Sequence, residues 1–353
     1  MSAAHRPAVP TRALAPGYVV PRLIKGGWQL AGGHGTVDRT EAIADMMAFA
    51  ESGITAFDCA DIYTGVEELI GEFLCSWRER YGAAAPTMRV HTKCVPDRDA
   101  LPTLTRAELE RLIDRSLTRL GVDTLDLVQF HWWNFDVPGW LEAAGHLAEL
   151  KRSDKIRQLG VTNFDTSRLR MLLDAGIPIV SHQVQCSLLD RRALGAMATL
   201  CAERGVGLLT YGALAGGFFH ERWLGAREPI EPLENRSLVK YKLIIDEFGG
   251  WTAFQQLLRT MRGIADAHDS TIGAVALRAV LNEAAVTSVI VGARHADHLP
   301  ATLASLSLEF SASERAALQA VVAAAPGPRG DVYALERDMT GVHAGIMRYN
   351  LNA

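Results

Sequence analysis

The chain has 353 residues, of which 48% are hydrophobic and 22% charged, and its formal net charge is −4. At about 150 residues per domain this length allows two domains, but parallel α/β barrels of more than ~250 residues are single domains. The slightly acidic balance argues against binding of nucleic acid through a basic surface. No apolar run approaches the ~20 residues of a membrane-spanning helix, so no membrane segment is expected.

The first 22 residues contain four prolines and no apolar core segment, so we expect an N-terminal extension and not a secretory signal. The five cysteines are an odd number and include no Cys-x-x-Cys pair. This pattern disfavours a disulfide framework and a structural zinc site, and we expect no bound metal. Such cysteine usage fits the reducing conditions of the cytoplasm.

Short β-branched or apolar runs alternate along the chain with longer stretches of helical periodicity. The first run, 23–30, precedes a helix at about 39–52, for which Asp38 is the candidate N-cap. A helix at 105–120 carries the capping-box pair Thr105 and Glu108 and should end at Gly121. The other runs lie at 54–60, 88–93, 125–131, 156–162, 181–187, 207–213 and 286–291, and the other helices at about 66–77, 140–152, 166–175, 193–204, 252–268, 298–305 and 313–324.

About eight strand–helix units predict a closed (β/α)8 barrel, the TIM barrel, as one domain over residues 23–325. A C-terminal tail, 326–353, follows. The alternative is an open doubly wound sheet, which would need a Gly-x-Gly-x-x-Gly turn. The glycines at 31–35 match that pattern poorly and are interpreted as a loop.

Four polar side chains follow three consecutive predicted strands. Asp58 and Tyr63 come after the second strand, Lys93 ends the third and His131 ends the fourth. Each alone is more often a helix cap or an ordinary hydrogen-bonded residue. Since working residues of parallel barrels lie at the C-terminal ends of strands, together they predict one site at the barrel mouth.

These motifs resemble the aldo-keto reductase superfamily, as do Gly160-Val161-Thr162-Asn163-Phe164 and Val291-Gly292-Ala293-Arg294. The resemblance runs from about residue 23 to 305 and implies a barrel that reduces aldehydes or ketones with NAD(P)H. It implies a catalytic tetrad of Asp58, Tyr63, Lys93 and His131. Chemically, Tyr63 would protonate the developing alkoxide, with its pKa lowered by Lys93, and His131 would orient the carbonyl and donate to its oxygen.

The resemblance also implies a cofactor site. Amide and hydroxyl side chains would bind the nicotinamide carboxamide, Tyr211 would stack on the ring, and the small residues after the seventh strand would admit the pyrophosphate. Arg294 is the candidate for a 2′-phosphate, which favours NADP(H) over NAD(H). His298 departs from the Gln or Arg of many members, and Ala301 and Thr302 replace their Glu-Asn. The cofactor residues so implied are Thr162, Asn163, Gln183, Tyr211, Gly212, Leu214, Gly216, Gly292, Arg294 and His298.

Trp28, Trp132 and Trp133 are the candidate substrate-lining residues, although Trp133 equally suits the core. A long loop at about 218–250, rich in charged residues, is expected to form a solvent-facing flap over the cofactor. The alternative function is a cofactor-binding regulatory or redox-sensing subunit of the potassium-channel-beta type, which shares this fold and tetrad. The expected partner is a small-molecule carbonyl substrate, and nothing in the sequence points to an oligomeric state.

Overall fold

The computed structural model describes residues 8–352. Eight parallel strands form a closed barrel in which the first barrel strand pairs with the last, so an open doubly wound sheet is excluded. The barrel strands are β3 (Leu23–Gly26), β4 (Ala56–Asp58), β5 (Arg89–Cys94), β6 (Leu125–Phe130), β7 (Ile156–Thr162), β8 (Ile179–Gln185), β9 (Gly207–Tyr211) and β10 (Val286–Gly292).

Helices surround this barrel, as the predicted alternation requires. They are α1 (Arg39–Glu51), α2 (Val66–Tyr81), α3 (Arg106–Leu120), α4 (Trp140–Arg152), α5 (Thr166–Asp174), α6 (Ala196–Arg204), α7 (Arg236–Phe248), α8 (Gly250–Ala267), α9 (Ile272–Leu281), α10 (Leu299–Ser307) and α11 (Ala312–Ala324). The capping box of Thr105 with Glu108 and the left-handed Gly121 at the end of α3 are confirmed. Asp38 caps α1 by accepting from the backbone of Glu41.

The N-terminal extension forms a β-hairpin, β1 (Thr11–Ala15) and β2 (Tyr18–Pro21), which the sequence did not predict. Tyr18 and Val20 are buried in a cluster with residues inside the barrel. Arg22 donates to the carbonyls of Val286 and Thr287, at the start of β10. The hairpin therefore closes the end of the barrel opposite the carboxyl ends of the strands.

The expected loop at 218–250 is wrong in its second half, because residues 236–248 form α7. Asn235 caps this helix, and Leu238, Tyr241 and Ile245 lie on its buried face. The many charged residues of this segment obscure that apolar periodicity in the sequence. Helix α9 was also missed, since its sequence is short and almost entirely apolar, with Arg278 as its one charged residue.

Residues 326–352, here called the tail, run across the mouth of the barrel and include the short helices α12 (Ala334–Arg337) and α13 (Val342–Gly345). Asp331 accepts from the backbone of Thr166 above β7. Asn352 donates to the carbonyl of Val95 after β5. Between these two anchors the tail covers the carboxyl ends of the strands.

Gly71 lies where α2 packs closely against the end of α3. A Cβ at Gly71 would lie 2.6 Å from the carbonyl oxygen of Arg119. We expect Gly71→Ala to lower the free energy of unfolding by about 1–3 kcal/mol, because backbone cannot yield as a side chain does. Urea denaturation measures this. Gly145→Ala in α4 is the matched control, since no atom lies within 4 Å of its Cβ position. A Gly71→Ala protein as stable as that control would contradict the prediction.

Candidate active site

Lys93 and Asp58 form a buried ion pair at the carboxyl ends of neighbouring strands. Lys93 Nζ donates to Asp58 Oδ1 at 2.7 Å and to the carbonyl of Cys59 at 2.7 Å. Both side chains are 6% exposed. Burial acts to lower the pKa of Lys93, but Asp58 and Tyr63 outweigh it and raise the pKa above its usual value. Lys93 therefore remains an ammonium.

The second oxygen of Asp58 is held by two amides. Oδ2 accepts from Gln183 Nε2 at 2.6 Å and from Gln129 Nε2 at 3.0 Å. Gln183 also donates to Gln129 Oε1 at 3.0 Å. Gln129 was not foreseen, because a glutamine within a buried strand carries no motif; its place two residues before His131 was the available signal. The amide pair fixes the Asp58 carboxylate toward Lys93.

Tyr63 completes this side of the site. Its ring centre lies 5.2 Å from Lys93 Nζ and 5.1 Å from the ring of Trp28. Burial raises the pKa of Tyr63, and Lys93 opposes that rise without cancelling it. Lys93 lowers the pKa of Tyr63, as expected, but the rise caused by desolvation is larger. Tyr63 thus keeps its proton at neutral pH.

His131 lies across the mouth as a neutral imidazole. Burial, with the nearby cation of Arg337, lowers the pKa of His131 to about 3. Nδ1 is 3.1 Å from the carbonyl oxygen of Thr162, so Nδ1 carries the proton and donates. Nε2 of the neutral ring then has a lone pair and no proton. Among the described residues it has no hydrogen-bond partner, so it can accept a hydrogen bond at the mouth. The expectation that His131 donates to the carbonyl oxygen of the substrate is therefore corrected, because the ring's one proton is held at Nδ1.

The predicted nicotinamide residues lie together at the ends of β7, β8 and β9. Tyr211 donates to Asn163 Oδ1 at 2.9 Å, and Thr162 Oγ1 donates to the carbonyl of Gln183 at 3.2 Å. Asn163 has a positive φ of 61°, a conformation that asparagine tolerates better than most residues. Hydroxyl and amide groups thus converge at one place, which fits recognition of a carboxamide.

The small residues after β9 lie under α7. Gly212 has a φ of 83°, and a Cβ there would lie 2.3 Å from the hydroxyl oxygen of Tyr241; one at Gly216, where φ is 62°, would lie 2.9 Å from the carbonyl oxygen of Ser237. Leu214 lies between these glycines and is partly buried. Glycine is therefore required by both backbone conformation and space.

The residues predicted to bind phosphate lie at the carboxyl end of β10 and in the turn that follows it. Arg294 donates to the carbonyls of His34 and Thr36, in the loop after β3. His298 is exposed on the following turn. The amide of Gln29 lies over Gly292, where a Cβ would be 2.2 Å from Gln29 Nε2. Arg294 therefore joins the first and last barrel strands at this edge.

The side chains of the three candidate tryptophans point in different directions. Trp28 packs on Tyr63, and the edge of Trp133 faces His131 with ring centres 4.4 Å apart. Trp132 points away from the mouth: it is 1% exposed and donates to the carbonyls of Asn134 and Val137. The expectation that Trp132 lines the substrate site is therefore corrected, because successive residues after β6 face opposite sides.

The tail adds side chains that the sequence did not assign. Tyr333 lies edge-on to His131 with ring centres 5.7 Å apart. Arg337 donates to the carbonyl of Trp132 at 2.9 Å and lies 5.0 Å from the ring centre of Tyr333. The contacts with His131 and Trp132 join residues more than 200 positions apart, so only the folded chain shows them.

Between residues 8 and 352, no cluster of three or more His, Cys, Asp or Glu side chains is arranged to hold a metal ion. Within that same range, no helix is long and apolar enough to cross a membrane.

A family model described as "Aldo/keto reductase family" matches residues 22–323. The chain is 26% identical over 320 residues to NADH-specific methylglyoxal reductase of Escherichia coli (strain K12), covering 82% of this chain and 91% of that protein. It is 28% identical over 326 residues to L-glyceraldehyde 3-phosphate reductase of Escherichia coli O157:H7, covering 87% and 90%. Flagellar radial spoke protein 5 of Chlamydomonas reinhardtii is 29% identical over 255 residues, or 62% of this chain, but the match spans only 48% of that protein.

Among solved structures, the glycerol dehydrogenase of Gluconobacter oxydans superposes with a TM-score of 0.73 at 21% identity. The match covers 88% of this chain and 94% of that one. At this identity the likeness concerns the fold.

Proposed function

The chain belongs to the aldo/keto reductase family of NAD(P)H-dependent carbonyl reductases, and we propose that it reduces an aldehyde or ketone to an alcohol with Tyr63 as proton donor. The observation that carries this proposal is the buried Lys93–Asp58 pair beneath the Tyr63 ring. A bound nicotinamide supplies the hydride. Thr162, Asn163, Gln183 and Tyr211 would hold its ring, and the backbone around Gly212, Leu214 and Gly216 would receive the diphosphate.

The protein's own groups handle the proton. Tyr63 stays protonated because burial raises its pKa, and transfer of its proton to an alkoxide leaves a phenolate next to the Lys93 ammonium. Asp58 keeps that ammonium charged and in place. Neutral His131 offers Nε2 as an acceptor, so we assign it to positioning of the reacting groups and leave proton donation to Tyr63.

The experiment is turnover of a panel of small aldehydes and ketones with NADPH and with NADH. We expect consumption of reduced cofactor that depends on the carbonyl compound. Cofactor binding without turnover of any panel member would instead favour the regulatory-subunit alternative.

For the cofactor we propose a preference for NADP(H), carried by Arg294 together with His298, four residues further along the chain. Arg294 meets neutral carbonyl acceptors, those of His34 and Thr36, and forms no ion pair with a carboxylate among the described residues. A phosphate would be a stronger partner for its guanidinium. Since the similar methylglyoxal reductase of Escherichia coli is NADH-specific, the affinities of this chain for NADPH and NADH must be measured directly.

We expect Arg294→Ala to weaken NADPH binding about 10- to 100-fold while NADH binding stays within about threefold, since one charge-assisted contact is lost. Fluorescence titration with each cofactor measures this, and the loss should shrink as salt rises. Arg259→Ala, on the outer helix α8, is the control for removal of a positive charge. Equal loss of both cofactors would show that Arg294 supports the loop after β3 and does not bind a 2′-phosphate.

A further inference from the structure

Arg337 of the tail packs against two aromatic rings close to His131. Its guanidinium carbon lies 4.4 Å from the ring centre of Phe135 and 5.0 Å from that of Tyr333. Its Nη2 donates to the carbonyl oxygen of Trp132, the residue directly after His131, at 2.9 Å. A planar guanidinium suits such a place, because it can stack on rings and donate in its own plane at the same time. The tail is therefore attached to the backbone next to His131.

Arg337 brings a positive charge to the mouth without a carboxylate partner. Within residues 8–352 it forms no ion pair, and its buried Nε has no hydrogen-bond partner. By contrast Arg168, which lies 5.1 Å from the centre of the same Phe135 ring, pairs with Asp165 at 3.2 Å. A cation that is partly removed from water and has no counter-ion costs free energy and acts on nearby groups with little screening.

His131 is held in a fixed orientation beside this cation. Its ring meets Trp133 at 88° with ring centres 4.4 Å apart, and meets Tyr333 at 85° with ring centres 5.7 Å apart. Nδ1 donates to the carbonyl oxygen of Thr162. Rotation of the imidazole would break these contacts, so Nε2 is the nitrogen that remains available at the mouth.

The charges that face His131 come from two elements. Lys93 at the end of β5 and Arg337 in the tail are both cations, and both oppose a second proton on the imidazole. The charge of Lys93 is balanced by its carboxylate partner, whereas that of Arg337 is not. The titratable hydroxyls at the mouth, those of Tyr63 and Tyr333, are uncharged because burial raises the pKa of each. A second proton on His131 would turn Nε2 from an acceptor into a donor.

We propose that Arg337 is a positioning residue of the reaction centre, which keeps His131 neutral so that Nε2 can accept a hydrogen bond. The inference rests on the proposed carbonyl reduction, in which His131 orients the reacting groups as an acceptor. Arg337 acts through its charge, which opposes protonation of the imidazole, and through its contacts with Trp132 and Tyr333, which fix the surroundings of the ring. The docked tail is thus part of the active site.

The test is a series of charges at one position, made with Arg337→Lys, Arg337→Gln and Arg337→Glu. Burial and the cations lower the pKa of His131 to about 3 in the wild type. We expect this pKa to stay within about half a pH unit in Arg337→Lys, to rise by about one pH unit in Arg337→Gln and by about two in Arg337→Glu, as each unit of charge is changed. Titration of the imidazole nitrogen NMR resonances, assigned with His131→Asn, measures this. Arg168→Gln removes a cation from the same Phe135 ring and is the matched control; its charge is balanced by Asp165, so the pKa of His131 should not change.

A purely structural role of Arg337 would give a different pattern. If Arg337 only held the tail in place, all three variants would expose His131 to water and raise its pKa equally. That result, or no change in any variant, would overturn the proposal. Comparison of Arg337→Lys with Arg337→Gln is sufficient if Arg337→Glu does not fold.

Kinetics connect this charge to the reaction. In Arg337→Glu we expect kcat/KM at pH 5 to be about half of its value at pH 7, because about half of the His131 rings are then protonated, whereas Arg337→Lys should show no such loss. The NMR titration needs no turnover. The predicted order of pKa values without reduction of any aldehyde would therefore refute only the proposed reaction, and turnover with equal pKa values in all variants would refute only the role of Arg337.

Discussion

Tyr63→Phe is expected to lower kcat for carbonyl reduction by about 10²–10⁴-fold, the usual contribution of a positioned general acid. The ring and its packing on Trp28 would remain, so cofactor affinity should change less than twofold. Steady-state kinetics with a good aldehyde of the panel, together with fluorescence titration of the cofactor, measures both quantities.

Tyr81→Phe is the control, because it removes the same atom from a tyrosine on α2 that donates to Glu51 and lies away from the mouth. A Tyr63→Phe enzyme that keeps more than half of the wild-type rate, with the chemical step shown to limit turnover, would remove Tyr63 from its assigned role.

Lys93→Met and Asp58→Asn should each lower kcat by about 10²–10⁴-fold, and the double variant should be little worse than either one. The reason is that the two side chains act as one unit, with the carboxylate holding the ammonium beneath Tyr63. Loss of the Lys93 cation also removes the influence that lowers the pKa of Tyr63, so residual activity should persist to higher pH in Lys93→Met. Single-turnover rates between pH 6 and 10 measure both effects.

The folding of each variant must also be measured, since removal of one partner of a buried ion pair lowers the free energy of unfolding by about 3–5 kcal/mol. Arg89→Met is the matched control. Arg89 pairs with Asp126 at 2.9 Å, and both residues lie at the amino-terminal ends of their strands, β5 and β6, away from the mouth. Its kcat should stay within twofold of wild type. Rate losses that multiply in the double variant would mean that Asp58 has a task separate from Lys93.

The features that sequence predicted best are those set by local geometry. A capping box needs only residues three apart, so Thr105 and Glu108 were identified directly. The meeting of Asp58 and Lys93 followed from one rule of barrel architecture, that the carboxyl ends of strands share one mouth. Their catalytic roles remain predictions that the variants above test.

The features that were missed depend on contacts distant in sequence or on orientation. Gln129 holds Asp58 from the next strand but one, and Arg337 reaches the carbonyl of Trp132 from the far end of the chain. The choice between Trp132 and Trp133 depends on which way each side chain turns after β6. The proton position on His131 depends on the carbonyl of Thr162, which belongs to another strand.

Closure of the barrel also bears on the order in which the chain can fold during synthesis. The seam joins β3 to β10, so positions 23–26 find their partners only at 289–292. Until a ribosome has released β10, both β3 and β9 are edge strands with unpaired backbone groups, which invite pairing with other chains. A nascent chain that stalls before residue 286 thus carries seven barrel strands and two open edges. Residues 212–285, which include α7, α8 and α9 and are translated between β9 and the closing strand, set the length of that vulnerable interval.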